Sequence, residues 1–141
     1  MVADQMVSEL GHGRRMRVLV IEGNPAERKL VGDALSQYYT VLFAGGVGEA
    51  LAMLRTDDPD VVVTELDLAD GDGLAFCEHL RALPEAAHLP IMVLTSRADI
   101  RDKVAGFQAG ADDYVVKPLD SRLFYARVRL LCRIKGLERP R

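Results

Sequence analysis

Residues 61–73 read VVVTELDLADGDG. The apolar run Val61-Val62-Val63 has the length and β-branched character of a buried strand, and it ends abruptly in Glu65, Asp67, Asp70 and Asp72. Four more segments resemble its first half: RVLVI at 17–21, TVLFA at 40–44, PIMVLT at 90–95 and DYVV at 113–116. Between them the spacing predicts amphipathic helices. After Pro25, a residue suited to a first helical turn, come Ala26, Leu30, Ala34, Leu35 and Tyr38. Val47, Ala50, Leu51 and Leu54 mark the second helix, and Leu74, Cys77, Leu80 and Leu83 the third, closed by Pro84. Ile100, Val104 and Phe107 mark the fourth, and Phe124, Val128 and Leu131 a fifth over about 121–134.

Five near-continuous apolar strands alternating with helices predict an α/β protein, a doubly wound five-stranded parallel sheet covered on both faces. Right-handed crossovers favour the flavodoxin-like strand order 2-1-3-4-5. Ligands of such sheets bind at the carboxyl ends of the strands, which places Glu22, Glu65, Thr95 and Lys117 around one crevice.

The bulk properties narrow the function classes. A chain of 141 residues, 49% apolar and 28% charged, fits one domain with a single core. No apolar run reaches the roughly 18 residues of a membrane span, and MVADQMVSELGHGRR lacks a signal peptide's apolar block, so a cytoplasmic protein is expected. Cys77 and Cys132 are too few for a disulfide scaffold, and His12, His79 and His88 are scattered, so no zinc site is expected. The two cysteines fall on helices expected to cover opposite faces of the sheet, so no disulfide joins them. Residues 1–15 read as a flexible extension, 16–135 as the domain, and 136–141 as a tail or linker. From Arg122 onward seven basic residues (Arg122, Arg127, Arg129, Arg133, Lys135, Arg139, Arg141) face one acidic residue, Glu138. Without interleaved aromatic residues this stripe is read as a solvated face, and no direct nucleic-acid binding is expected.

The motifs VIEGNP, PDVVVTE, DG at 72–73, LTS at 94–96 and GADDYVVKP at 110–118 together resemble the receiver domain of bacterial two-component response regulators, over about Arg17 to Ile134. The resemblance implies a phosphorylation site. Its phosphoacceptor is an aspartate at the end of strand three; the matching position, with six residues between it and Asp72-Gly73, is Glu65. Its magnesium-binding acidic pair corresponds to Glu22 and Gly23, and the second of these has no side chain to ligate with. Thr95, the aromatic switch Tyr114, Lys117 and Pro118, whose preceding bond is cis in the family, are kept.

The expectation is therefore an atypical receiver, not an enzyme, that acts through protein partners without aspartyl phosphorylation and holds magnesium weakly or not at all. The alternative is a conventional receiver phosphorylated on Glu65 or a neighbour and controlling a DNA-binding or cyclase effector. Glu22, Glu65 and Lys117 form either a switch held in one state or a plain ion-pair cluster. Asp67 is a lesser candidate acceptor, and Asp72 is expected to cap the third helix with Asp67 and Asp70 solvated. A haloacid-dehalogenase reading fails because Glu-Leu-Asp at 65–67 lacks the nucleophilic aspartate, and an FMN reading lacks a phosphate-cradling loop. The family's dimer face, laid out by the fourth helix, fifth strand and fifth helix, corresponds to Lys103, Asp112, Asp113 and Arg127, with Leu123 where an acidic partner for Lys103 is expected. A homodimer through that face, and an effector domain after the C-terminus, are the partners implied.

Overall fold

A computed structural model describes residues 14–138, with the side chains of the last helix described through Lys135. The elements follow in order: β1 (Arg17–Ile21), α1 (Pro25–Leu35), β2 (Thr40–Ala44), α2 (Val47–Thr56), β3 (Val61–Thr64), α3 (Gly73–Ala82), β4 (Ile91–Thr95), α4 (Ile100–Gln108), β5 (Asp113–Val116) and α5 (Ser121–Glu138). All five strands are parallel in the order β2-β1-β3-β4-β5, the order expected. Between β3 and α3 the residues Asp67–Leu68 and Gly71–Asp72 pair as a small antiparallel hairpin.

Successive strand side chains alternate faces, and the core divides accordingly. Val18, Val20, Val61 and Val63 face Val31 and Leu35 of α1 and Phe124, Val128 and Leu131 of α5. Leu19, Ile21 and Val62 face Ala50 of α2 and Phe76, Cys77 and Leu80 of α3. Cys77 and Cys132 thus lie in the two different clusters, both buried and free. Burial pushes the Cys77 thiol up to about 11 and the Cys132 thiol up to about 12. The thiolate is the reactive form. Ellman's reagent at pH 8 is therefore expected to titrate neither thiol in the native chain and both in denaturant; rapid reaction of either natively would contradict this packing.

Three helix phases differ from expectation. In α1, Leu30 is exposed and Val31 carries the core contact, while Tyr38 lies beyond the helix end. In α3, Phe76 is a core residue that the stripe of Leu74, Cys77 and Leu80 omitted. In α4, Ile100, Val104 and Phe107 are 69%, 47% and 49% exposed, so they are a surface and not a core stripe. The sheet side of α4 is made of small residues. A Cβ on Gly106 would lie 3.0 Å from the Tyr114 ring, so only a small residue lets the helix approach that closely.

At the N-terminal ends of the strands, Asp60 is fully buried. It accepts hydrogen bonds from the Arg17 N–H (2.8 Å) and Arg14 Nη1 (3.3 Å), and the Lys135 ammonium lies 3.8 Å away. Lys135 is 2% exposed and so does not belong to the solvated basic stripe. Residues 1–13 of the expected extension lie outside the described residues. Its last two are held to the body, Arg14 by Asp60 and Arg15 by the Ser36 carbonyl at 2.8 Å. The backbone of α5 runs past Ile134 to Glu138, into the segment expected to be a tail.

Candidate functional site

Strand register assembles the crevice. Ile21 of β1 lies beside Thr64 of β3, so Glu22 and Glu65, the next residue of each chain, emerge side by side. Thr95 of β4 lies beside Val116 of β5, and Lys117 follows. Neighbouring strands are about 4.8 Å apart, so Lys117 starts two strands from β3 and three from β1. Its long arm crosses β4 to put Nζ 2.7 Å from Glu22 Oε1 and 3.0 Å from Glu65 Oε1, with Glu27 Oε2 at 3.7 Å. The side chains of Lys117, Glu22 and Glu65 are 8%, 9% and 10% exposed, so these charges are largely withdrawn from water.

The remaining carboxylate oxygens are also taken. Glu65 Oε2 accepts from the N–H groups of Leu66 (2.6 Å) and Asp67 (3.2 Å), and Glu22 Oε2 from that of Asn24 (3.0 Å). Burial alone would pull the Lys117 pKa down; the hydrogen bonds to Glu22 and Glu65 more than reverse this, and it stands above its ordinary value. Gly23 lies beside the Gly45 carbonyl, and a Cβ there would sit 3.3 Å from that oxygen. Gly73 is bound more tightly: a Cβ would meet the Glu65 carbonyl oxygen at 2.3 Å, which explains the glycine of the Asp72-Gly73 pair by close backbone approach.

Thr95 is buried, its Oγ1 accepting from the Arg97 N–H at 3.4 Å. Tyr114 is buried under α4, and its hydroxyl donates to the Arg97 carbonyl oxygen at 2.8 Å. The Lys117–Pro118 bond is cis.

The loop carboxylates are less idle than expected. Asp72 does cap α3, accepting from the Leu74 N–H at 3.0 Å. Asp67, however, is gripped by both Nε and Nη2 of Arg97, which holds its carboxyl below the usual range. Asp70 caps a different helix: Oδ1 and Oδ2 accept from the N–H groups of Val47 (2.8 Å) and Gly48 (3.1 Å) at the start of α2. A Cβ on Gly46 would lie 2.3 Å from Asp70 Oδ1, so this bridge needs that glycine. Sequence reasoning missed Arg97 as the partner of Asp67 and the capping role of Asp70, because each partner lies more than twenty residues away.

Of the expected dimer-face residues, Lys103, Asp113, Leu123 and Arg127 line one shallow depression with Phe107, and Arg127 Nη1 pairs with Asp113 Oδ1 at 2.9 Å. Asp112 stands apart. It is tied to Arg81 of α3 at 2.9 Å and accepts from the Ile91 N–H at 2.9 Å.

The sequence profile of the response regulator receiver domain matches residues 18–129, which span this sheet and the crevice at its carboxyl edge. The chain belongs to the response regulator receiver domain family. It is similar to the response regulator MprA of Mycobacterium ulcerans (40% identity over 124 residues, 87% of this chain and 53% of that protein). It is also 40% identical over 120 residues to the DNA-binding dual master transcriptional regulator RpaA of Synechocystis (83% of this chain, 49% of that protein). The chain thus spans about half the length of these relatives. Among solved structures, a two-component response regulator from Clostridium difficile superposes with a TM-score of 0.78 at 25% identity, covering 84% of this receiver and 97% of that chain. No described helix is long and apolar enough to cross a membrane.

Proposed function

We propose that this receiver domain signals without aspartyl phosphorylation, through protein contacts at its surface. The observation that carries the reading is Lys117 shared between Glu22 and Glu65, with both oxygens of Glu65 already bonded. Glu65 occupies the place of the family's phosphoacceptor aspartate. A glutamate there is longer by one bond, about 1.5 Å, which displaces its oxygens from the line of attack on a phosphoryl group. Its two oxygens are engaged by an ammonium and two backbone N–H groups, contacts that attack on a phosphoryl group would have to break.

The same geometry disfavours magnesium. That ion seeks octahedral oxygen coordination with one or two carboxylates. Gly23 offers none, Glu22 gives one oxygen to Lys117 and the other to Asn24, and among the described residues no group of three or more metal-binding side chains converges. The donor set does not fit the ion. An uncompensated phosphoryl anion about 4 Å from Glu65 would be repelled by roughly 4 kcal/mol at an effective dielectric near 20. In this reading Thr95, Tyr114 and Lys117-Pro118 keep the crevice in one fixed arrangement.

The output is proposed to be a cytoplasmic protein–protein signal and not catalysis, with an isologous homodimer through α4, β5 and α5. What supports the dimer is the exposed apolar set Val104, Phe107 and Leu123 around the Arg127–Asp113 pair. By analogy with the relatives' extra length, an effector beyond α5 would receive the signal. Sedimentation should find the native chain dimeric at micromolar concentration and Leu123→Asp monomeric; a monomeric native chain would remove the dimer from the proposal. Phosphorylation itself is tested by intact mass after incubation with magnesium and a small phosphodonor, which is expected to leave the native chain unmodified.

A further inference from the structure

A line of polar contacts runs from the crevice to the face of α4, β5 and α5. It starts at Glu65, whose Oε2 accepts from the Asp67 N–H at 3.2 Å. The Asp67 carboxylate reaches across to the loop between β4 and α4, where Nε (3.2 Å) and Nη2 of Arg97 hold its two oxygens. Arg97 Nη1 lies 3.6 Å from Asp102 in the first turn of α4. The Arg97 backbone carries the line onward, because the Tyr114 hydroxyl of β5 donates to its carbonyl oxygen at 2.8 Å. The Tyr114 ring packs against Gly106 of α4 and lines the depression with Phe107, Leu123 and Arg127.

The strap that carries Asp67 is itself pinned. Asp67 pairs with Asp72 in the antiparallel hairpin, and Asp70 at the turn accepts from two N–H groups of α2. Arg97 therefore grips a carboxylate that belongs to a fixed frame. Exposed ion pairs contribute little as a rule, but a two-pronged guanidinium–carboxylate pair within a network is the exception. The side chains of Arg97 and Asp67 are 40% and 61% exposed, so loss of the pair is felt as local loosening and not as unfolding. We propose that the Asp67–Arg97–Asp102 bridge is a positioning device: it ties the loop after β3 to α4 and Tyr114, and so sets the shape of the depression on the α4, β5 and α5 face. The inference goes beyond the reading above. It does not rest on Glu65 being silent or on the chain being dimeric, and its test measures neither.

Amide hydrogen exchange of the isotope-labelled full chain, followed by NMR together with the Tyr114 ring resonances, provides the test. Asp67→Asn keeps the size of the side chain and removes its charge at a position far from α4 in sequence. It is expected to speed exchange at Val104, Ala105 and Phe107 by about fivefold or more and to shift the Tyr114 ring, while Val62 and Val63 of β3 exchange as in the native chain. Arg97→Gln should do the same. The double variant should do no more than Arg97→Gln alone, because Asp67 acts on α4 through Arg97. Unchanged α4 exchange in Asp67→Asn, or effects of the two substitutions that multiply, would overturn the proposal. So would faster exchange throughout the chain, β3 included, since that reports lost stability and not a local tie.

Discussion

Lys117→Met is expected to lower the stability of the folded chain by roughly 3–5 kcal/mol, because it leaves two carboxylates buried without their shared cation. For a domain of this size that is a fall of about 10–20 °C in Tm. Removing the anions along with the cation should restore much of the loss, since an unpaired buried charge is what destabilises. Lys117→Met combined with Glu22→Gln and Glu65→Gln is therefore expected to melt well above Lys117→Met alone. The pH dependence has a definite sign. Folding raises the Lys117 pKa, so the stabilisation is complete below the ordinary lysine value of about 10.4 and is lost only as pH rises through the higher folded value. Urea midpoints of the native chain and Lys117→Met should differ widely at pH 7 and converge at strongly alkaline pH. A small difference at pH 7 would mean that water already solvates this cluster.

Adjacent residues of α5 are expected to give opposite results. Phe124 is fully buried among the valines of β1 and β3, and Phe124→Ala should destabilise by roughly 3–5 kcal/mol through lost apolar burial and the cavity left behind. Leu123, one position earlier, is 50% exposed, and Leu123→Asp should leave stability within about 0.5 kcal/mol while abolishing the proposed dimer. Denaturant unfolding paired with sedimentation checks both. A destabilised Leu123→Asp would place that side chain in the monomer's own core, and a fully stable Phe124→Ala would contradict the helix phase described above.

The strands and their order were legible because buried parallel strands are nearly continuous apolar runs, and Val61-Val62-Val63 is an extreme case. Helix phase was less so. The α4 residues Ile100, Val104 and Phe107 have helical spacing, but the side facing the sheet carries Gly106, with Ala109 buried at the C-cap, and small residues leave no apolar signal of their own. The crevice was legible as a meeting of strand ends, since Glu22, Glu65, Thr95 and Lys117 each follow or close a strand. The ion pair between Lys117 and the two glutamates fits both readings of the trio, a switch held in one state or a plain cluster, and side-chain reach sets its geometry. Arg97 on Asp67, Asp70 on α2 and Lys135 beside Asp60 were not legible. Each joins groups far apart in sequence, and a charged residue on a loop or at a helix end looks the same whether solvated or engaged.

Intact mass after incubation with magnesium and acetyl phosphate tests the central claim most directly. The comparison is between the native chain and a variant carrying Gly23→Asp and Glu65→Asp; a Cβ at position 23 would lie 3.3 Å from the Gly45 carbonyl oxygen, so that carbonyl has to give by a few tenths of an ångström. The expected result is one added phosphoryl group on the variant and none on the native chain, with the crevice intact but silenced at those two positions. Phosphate on the native chain would contradict the account and return this receiver to control by a phosphodonor.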